Sequence, residues 1–195
     1  AIALGAPDRP VAFSVPSGNF GNVFSGYAAA QMGVPISQLL VGANRKDILA
    51  RFMTSGTMQM RGVEPSLSPS MDIQVSSNFE RLLFDLLDRD GGAVARTLTD
   101  FRQTGHFSVS QGQLARAQEM FQGHAVDDAT TLARIKATAA ATGEIIDPHT
   151  AIGIETAVAL ATNITDPLVS LACAHPAKFP DAVHQASGHY PALPA

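Results

Sequence analysis

Residues 11–44 carry the pattern that most restricts what this chain can fold into. A short apolar run, "VAFSV" (11–15), stops at Pro16, and a helical stretch follows over residues 22–32. A second apolar run, "QLLVGAN" (38–44), begins after Gly33 and Pro35, a left-handed cap and a breaker. Both runs are short enough to be buried strands. Strand, helix and strand within roughly 30 residues make a βαβ unit, with parallel strands and a right-handed crossover. In the helix, Val23, Tyr27 and Ala30 share one face, with Phe24, Ala28 and Met32 beside them.

The rest of the chain continues the alternation. "RKDILARFMTSG" (45–56) reads as a helix opened around Asp47, and residues 57–72, rich in Pro, Ser, Gly and Met, read as a loop. Ser77 and Glu80 fit a capping box ahead of a stripe of Phe79, Leu82, Leu83, Leu86 and Leu87. Residues 110–121 form a further helix; Asp127 or Asp128 caps the next, which ends at Gly143. Asp147 and Pro148 open another helix through Leu160, with proline at its first position. "PLVSLACA" (167–174) is a third strand, and "FPDAVHQASGHY" a closing helix. The expected class is α/β, a parallel sheet of few strands flanked by helices. No internal repeat appears.

Composition narrows the function classes. The chain has 195 residues, 46% of them hydrophobic and 15% charged, which suits a globular enzyme with a sizeable core. A net charge of −4 without a basic stripe argues against nucleic acid. No apolar run approaches the roughly 20 residues of a membrane span. The single cysteine, Cys173, excludes an internal disulfide and suits a reducing cytoplasm. No signal peptide is expected. The start at Ala1, close before the first strand, reads like the middle of a longer protein.

The loop between the first strand and its helix holds more polarity than a connection needs. It reads "VPSGNFGN" (15–22). Unpaired amides at a helix N-terminus, with the helix dipole, favour an anion there. Gly18 and Gly21 let the backbone curl around it, and Ser17, Asn19 and Asn22 add side-chain donors. A phosphate held without lysine or metal fits this pattern; it is neither a Walker loop nor a Gly-x-Gly-x-x-Gly turn. The alternative is a tight turn with an asparagine cap.

The same string resembles the cofactor-phosphate loop of the threonine synthase family. "GANRKDILARFMTSG", "SLSPSMDIQVSSNFERLLFDLL", "DPHTAIG" and "AHPAKFPDAV" resemble further blocks of that family, in its order. Together they cover residues 11–183. The resemblance implies the C-terminal portion of a tryptophan synthase β-like, fold-type II pyridoxal-phosphate enzyme, spanning residues 1–195 as one part. Such enzymes are lyases that convert O-phospho-L-homoserine and water to L-threonine and phosphate. It implies that Ser17, Gly18, Asn19, Phe20, Gly21 and Asn22 hold the cofactor phosphate. It also implies that Cys173 faces the pyridine nitrogen, where the family usually has threonine. A thiol is a weaker donor than a hydroxyl.

The Schiff-base lysine of the family lies upstream, on an N-terminal part absent here, so no catalytic residue is expected in the chain. Its three lysines are Lys46, Lys136 and Lys178. Lys136 reads as a solvated helix charge, and Lys46 as a helix-start lysine or a group facing substrate. Lys178 and Asn78 are the substrate candidates, although Asn78 also belongs to the helix-cap pattern. Asp147 and His149 offer an acid–base pair or a plain cap; His175 offers a ring contact or a structural role. The six histidines show no metal-ligand spacing, and no metal is expected. Partners expected from the resemblance are the missing N-terminal part and, through the apolar face left open, a homodimer. Two other readings remain: a serine or threonine dehydratase, favoured by Cys173, and a non-catalytic phosphate-binding module.

Overall fold

A computed structural model describes residues 1–62 and 65–194. Four parallel strands form its main sheet, in the order β5-β2-β1-β6. They are β1 (Val11–Pro16), β2 (Ile36–Ala43), β5 (Phe121–Ala125) and β6 (Leu168–Ser170). β1 lies centrally, and α1 (Gly21–Gln31) carries the chain from it to β2. This is the expected α/β architecture.

Side-chain alternation assigns the two faces of the sheet. Val15, Leu39 and Val41 join Phe20, Val23, Ile48, Phe52 and Phe79 in one large core. That core lies under α1, α2 (Ile48–Ser55) and α3 (Phe79–Leu86). Aromatic rings bind it together: Phe52 meets Phe79 edge-on at 4.6 Å, and Phe79 meets Phe20 at 5.3 Å. On the opposite face α7 (Pro148–Leu160) crosses the sheet, with α6 (Asp128–Thr142) packed against it.

Close approach of the helices depends on small residues. A Cβ on Gly153 of α7 would stand 2.9 Å from both Pro16 Cδ and Ser170 Oγ. Ser14 of β1 donates to the Gly153 carbonyl at 2.6 Å, a buried bond that pins α7 to the central strand. Gly123 of β5 lets α2 sit on the edge strand, since a Cβ there would lie 2.7 Å from Ala50 Cα.

Several expectations need correction. Ser77 and Glu80 form no capping box: Asn78 is the N-cap, and no side chain caps α3. Ser77 and Asn78 are drawn instead to Asn19, whose Oδ1 accepts from Ser77 Oγ and whose carbonyl accepts from Asn78 Nδ2. Residues 57–72 are not all loop. β3 (Thr57–Gln59) pairs antiparallel with β4 (His106–Ser108), and Pro69–Met71 form a 3-10 turn. α4 (Gly91–Thr104), capped by Asp90, has two glycines in its first turn and buries only Phe101, so its stripe is faint. β5 begins at Phe121, where the expected helix ended; α5 (Gln111–Gln118) stops earlier. The third expected strand shrinks to Leu168–Ser170, and residues 171–174 leave the sheet. Met32 is 86% exposed rather than packed.

The contact at Gly123 generates a test. Gly123→Ala forces a methyl onto the backbone of Ala50, which cannot move as a side-chain tip can. It is expected to cost about 1–3 kcal/mol of stability in urea unfolding. Gly112→Ala, in α5 with nothing near its Cβ position, is expected to be neutral or slightly stabilising. Equal effects at the two sites would sink the packing argument.

Candidate functional site

The connections around β1 diverge. Its C-terminal end leads through α1 toward β2 on one side, while β6, reached from α7 on the other face, flanks it on the other side. Such a switch point opens a crevice beyond the carboxyl ends of the strands. A cleft of about 310 Å³ lies there, lined by the loop after β1 and by the segment after β6.

On the loop side, Ser17, Gly18, Asn19, Gly21 and Asn22 line the cleft. Phe20 sits in the left-handed region (φ 64°) as the N-cap of α1, and its fully buried ring packs on Phe79 and Phe121. Its amide donates to Ser17 Oγ at 3.0 Å. Phe20 is thus the anchor of the loop, while its neighbours face outward. Among the described residues, the amides of Gly18, Asn19, Gly21 and Asn22 have no hydrogen-bond acceptor. Gly18 is pressed on the opposite wall: a Cβ there would lie 3.0 Å from Met71 Cα. Asn78 is committed to the loop itself, with both its amide N–H (3.1 Å) and Nδ2 (2.9 Å) donating to the Asn19 carbonyl.

The other side is organised by Asp147, fully buried at the N-cap of α7. Its Oδ1 accepts from the amide and Nδ1 of His149, both at 2.9 Å. Its Oδ2 accepts from the amide and hydroxyl of Thr150 and from the Ala174 amide at 3.3 Å. Burial alone would raise this carboxyl, but the hydrogen bonds from His149 and Thr150 outweigh it and hold it below the usual carboxylate range. Thr150 Oγ1 in turn accepts from the Cys173 amide at 3.0 Å. One carboxylate therefore fixes both the start of α7 and the chain leaving β6.

Cys173 lines the cleft, and desolvation, then the Asp147 charge, push its thiol up to about 11. Lys178 and His149 also line the cleft, and Phe179 packs on the His149 ring at 4.7 Å. His175 is exposed and accepts from the Ala177 amide at 3.2 Å, a local cap. Lys46 is buried with Nζ donating to the Gly62 carbonyl at 3.2 Å, and Lys136 is an exposed residue of α6. The structure thus brings the loop residues, Cys173 and Lys178 together. It adds Ser70, which the sequence had not singled out, and His149, which the sequence offered only as half of an acid–base pair or as part of a cap. The buried pair Asp147–His149 was visible in "DPH", but a cap explains those letters equally well. Among the described residues no cluster of His, Cys, Asp and Glu could hold a metal ion, and no helix is long and apolar enough to cross a membrane.

Comparison with known proteins now bears on this geometry. The family described as "Threonine synthase, C-terminal" matches residues 150–195. Threonine synthase of Pseudomonas aeruginosa is 52% identical over all of this chain, which covers 42% of that protein. A crystal structure of PLP-bound threonine synthase from Brucella melitensis superposes with a TM-score of 0.96 at 48% identity, over 100% of this chain and 42% of the other. Yeast threonine synthase superposes with a TM-score of 0.86 at 38% identity, over 93% of this chain and 39% of the other. The chain thus spans about two fifths of the length of the relatives it matches. It resembles a part of them in sequence and fold, and the family model described as C-terminal matches its residues 150–195.

Two titrations follow from the cleft. Alkylation of Cys173 by iodoacetamide should keep accelerating above pH 9, with its half-maximum near about 11. In Asp147→Asn the neighbouring charge is gone and the half-maximum should fall; a half-maximum near 8 to 9 in the parent chain, roughly that of a free thiol, would refute the placement. Acid unfolding tests the carboxylate. Because the folded-state pKa of Asp147 is depressed, its contribution is complete above the unfolded carboxylate pKa of about 3.9. It is lost as pH falls through the folded value. The stability gap between parent and Asp147→Asn should therefore narrow as pH drops below about 4, and a constant gap would contradict it.

Proposed function

We propose that this chain, the counterpart of the C-terminal part of threonine synthases, builds the cofactor-phosphate side of a pyridoxal-phosphate-dependent lyase. In the longer cytoplasmic protein, that enzyme converts O-phospho-L-homoserine and water to L-threonine and phosphate. The observation that carries this reading is the cleft itself. A loop with unpartnered amides at a helix N-terminus faces the segment that bears Cys173 and Lys178.

The residues present fit the cofactor. The unpartnered amides of Gly18, Asn19, Gly21 and Asn22 suit a dianionic phosphate, and the side chains of Ser17, Asn19 and Asn22 add donors. Phe20 contributes by locking the loop to the core. Pyridoxal phosphate, when bound, supplies an electron sink for carbanions. Cys173 is assigned to the pyridine nitrogen. With its thiol raised to about 11 it stays neutral at pH 7, so it does not hold a proton on that nitrogen as a carboxylate would. Lys178, exposed on the cleft wall, is assigned to attract the substrate's anionic groups. Asn78 keeps the loop in position. The three lysines of the chain are not the Schiff-base residue in this reading; the N-terminal part of the enzyme supplies it. We assign Met32 and other exposed apolar side chains to contact with that part, and expect a homodimer where it is missing. A serine or threonine dehydratase is the second reading, favoured by Cys173 alone.

The full-length protein, loaded with pyridoxal phosphate, is expected to form threonine from O-phospho-L-homoserine and to leave serine untouched. The isolated chain is expected to form none. Borohydride reduction with the cofactor should leave Lys46, Lys136 and Lys178 without stoichiometric labelling. Specific labelling of one of them in an active isolated chain would overturn the assignment, and serine deamination by the full-length protein would favour the second reading.

A further inference from the structure

His149 is 4% exposed and lines the cleft, yet its Nε2 is buried with no hydrogen-bond partner among the described residues. A buried polar atom without a partner is costly, about 1–3 kcal/mol, so such atoms in a native site ask for an explanation. The other ring nitrogen is fully accounted for. Asp147, held ionised by its surroundings, can only accept, so Nδ1 must be the donor of their 2.9 Å bond. In the neutral ring Nε2 is then a lone pair. Phe179 against the ring and Asp147 behind it leave the imidazole one orientation.

We propose that His149 is a positioning residue whose Nε2 accepts a hydrogen bond from the ligand bound in the cleft. This rests on the reading that the cleft binds pyridoxal phosphate and a phosphorylated amino acid. The chemistry of the two walls is complementary. Loop amides donate and take the anionic phosphate; a lone pair repels phosphate oxygens and takes a hydroxyl or protonated nitrogen. His149 thereby sets which way round a ligand lies, with its phosphate at residues 17–22 and its donor-bearing end at α7. Asp147 contributes by fixing the tautomer.

The test uses the full-length protein, selectively labelled with ¹⁵N-histidine. In the ligand-free protein His149 should show a pyridine-like Nε2 resonance and a pyrrole-like Nδ1 resonance, assigned by their loss in His149→Gln. Adding pyridoxal phosphate, or then O-phospho-L-homoserine, should move the Nε2 resonance upfield while Nδ1 stays in place. Inorganic phosphate alone should not move it. Equilibrium binding supplies a second readout. His149→Phe keeps a ring against Phe179 and should weaken binding of the ligand that moved Nε2 at least tenfold, whereas His149→Gln, with an amide oxygen at similar reach, should recover most of it. A cofactor that binds while Nε2 stays silent in both additions overturns this inference and leaves the functional reading standing. So does an Nε2 already protonated in the ligand-free protein. Failure of pyridoxal phosphate to bind at all overturns both. If His149→Phe does not fold, the wild-type resonance decides alone.

Discussion

The wall of the cleft that bears Cys173 and His149 depends on the buried carboxylate of Asp147. A charge taken out of water is expensive unless its lone pairs are filled. Here they are filled by the amides and side chains of His149 and Thr150 and by the amide of Ala174. These donors come from two segments 27 residues apart in the chain, the start of α7 and the exit of β6. The start of α7 is also held by burial, but residues 172–174 lie beyond the end of β6 and are at most half-buried. The carboxylate joins them, and Cys173 takes its place through Thr150. Replacing it with an apolar residue would leave five donors unsatisfied rather than remove one bond.

The opposite wall is held by the reverse strategy. Nothing charged supports residues 17–22; the support is Phe20, fully buried in a left-handed conformation that a bulky residue enters only under constraint. Burying the ring is favourable by about 1.5–3 kcal/mol, enough to offset the backbone strain of roughly 1–3 kcal/mol. With Phe20 fixed, its neighbours' amides turn from the core without partners of their own. One wall is an apolar anchor presenting donors; the other is a polar anchor holding a thiol and an imidazole at the cleft.

Much of this was legible in the sequence, and the limits have physical causes. The βαβ unit, α6 and α7 could be read because apolar runs, Asp caps and terminal glycines all pointed the same way. β5 escaped because "FQGHA" is short, holds a glycine and has no β-branched residue, and it pairs as a strand along the edge that β2 offers. The capping box at Ser77 failed because capping side chains have more than one possible partner, and Asn19 Oδ1, distant in sequence, took the Ser77 hydroxyl. At the cleft, residues 17–22 stood out by pattern, since glycines and polar residues at a strand end are unusual, whereas Cys173 was singled out only through the family resemblance. His149 was singled out only with Asp147, as an acid–base pair or a cap, because the unpartnered state of its second nitrogen is a property of the fold.

The state of the Cys173 thiol follows from the same constraint. Asp147 is the charge buried behind this wall, and its negative potential reaches both Cys173 and His149. On the thiol the effect adds to desolvation and discourages a second anion. On the imidazole it orients the ring and settles which nitrogen carries the proton. The unpaired donors of the loop then remain the strongest place for an anion at this end of the sheet. Binding of a phosphate there would neutralise the helix-dipole end of α1, about half a positive charge, without disturbing the carboxylate that holds the other wall.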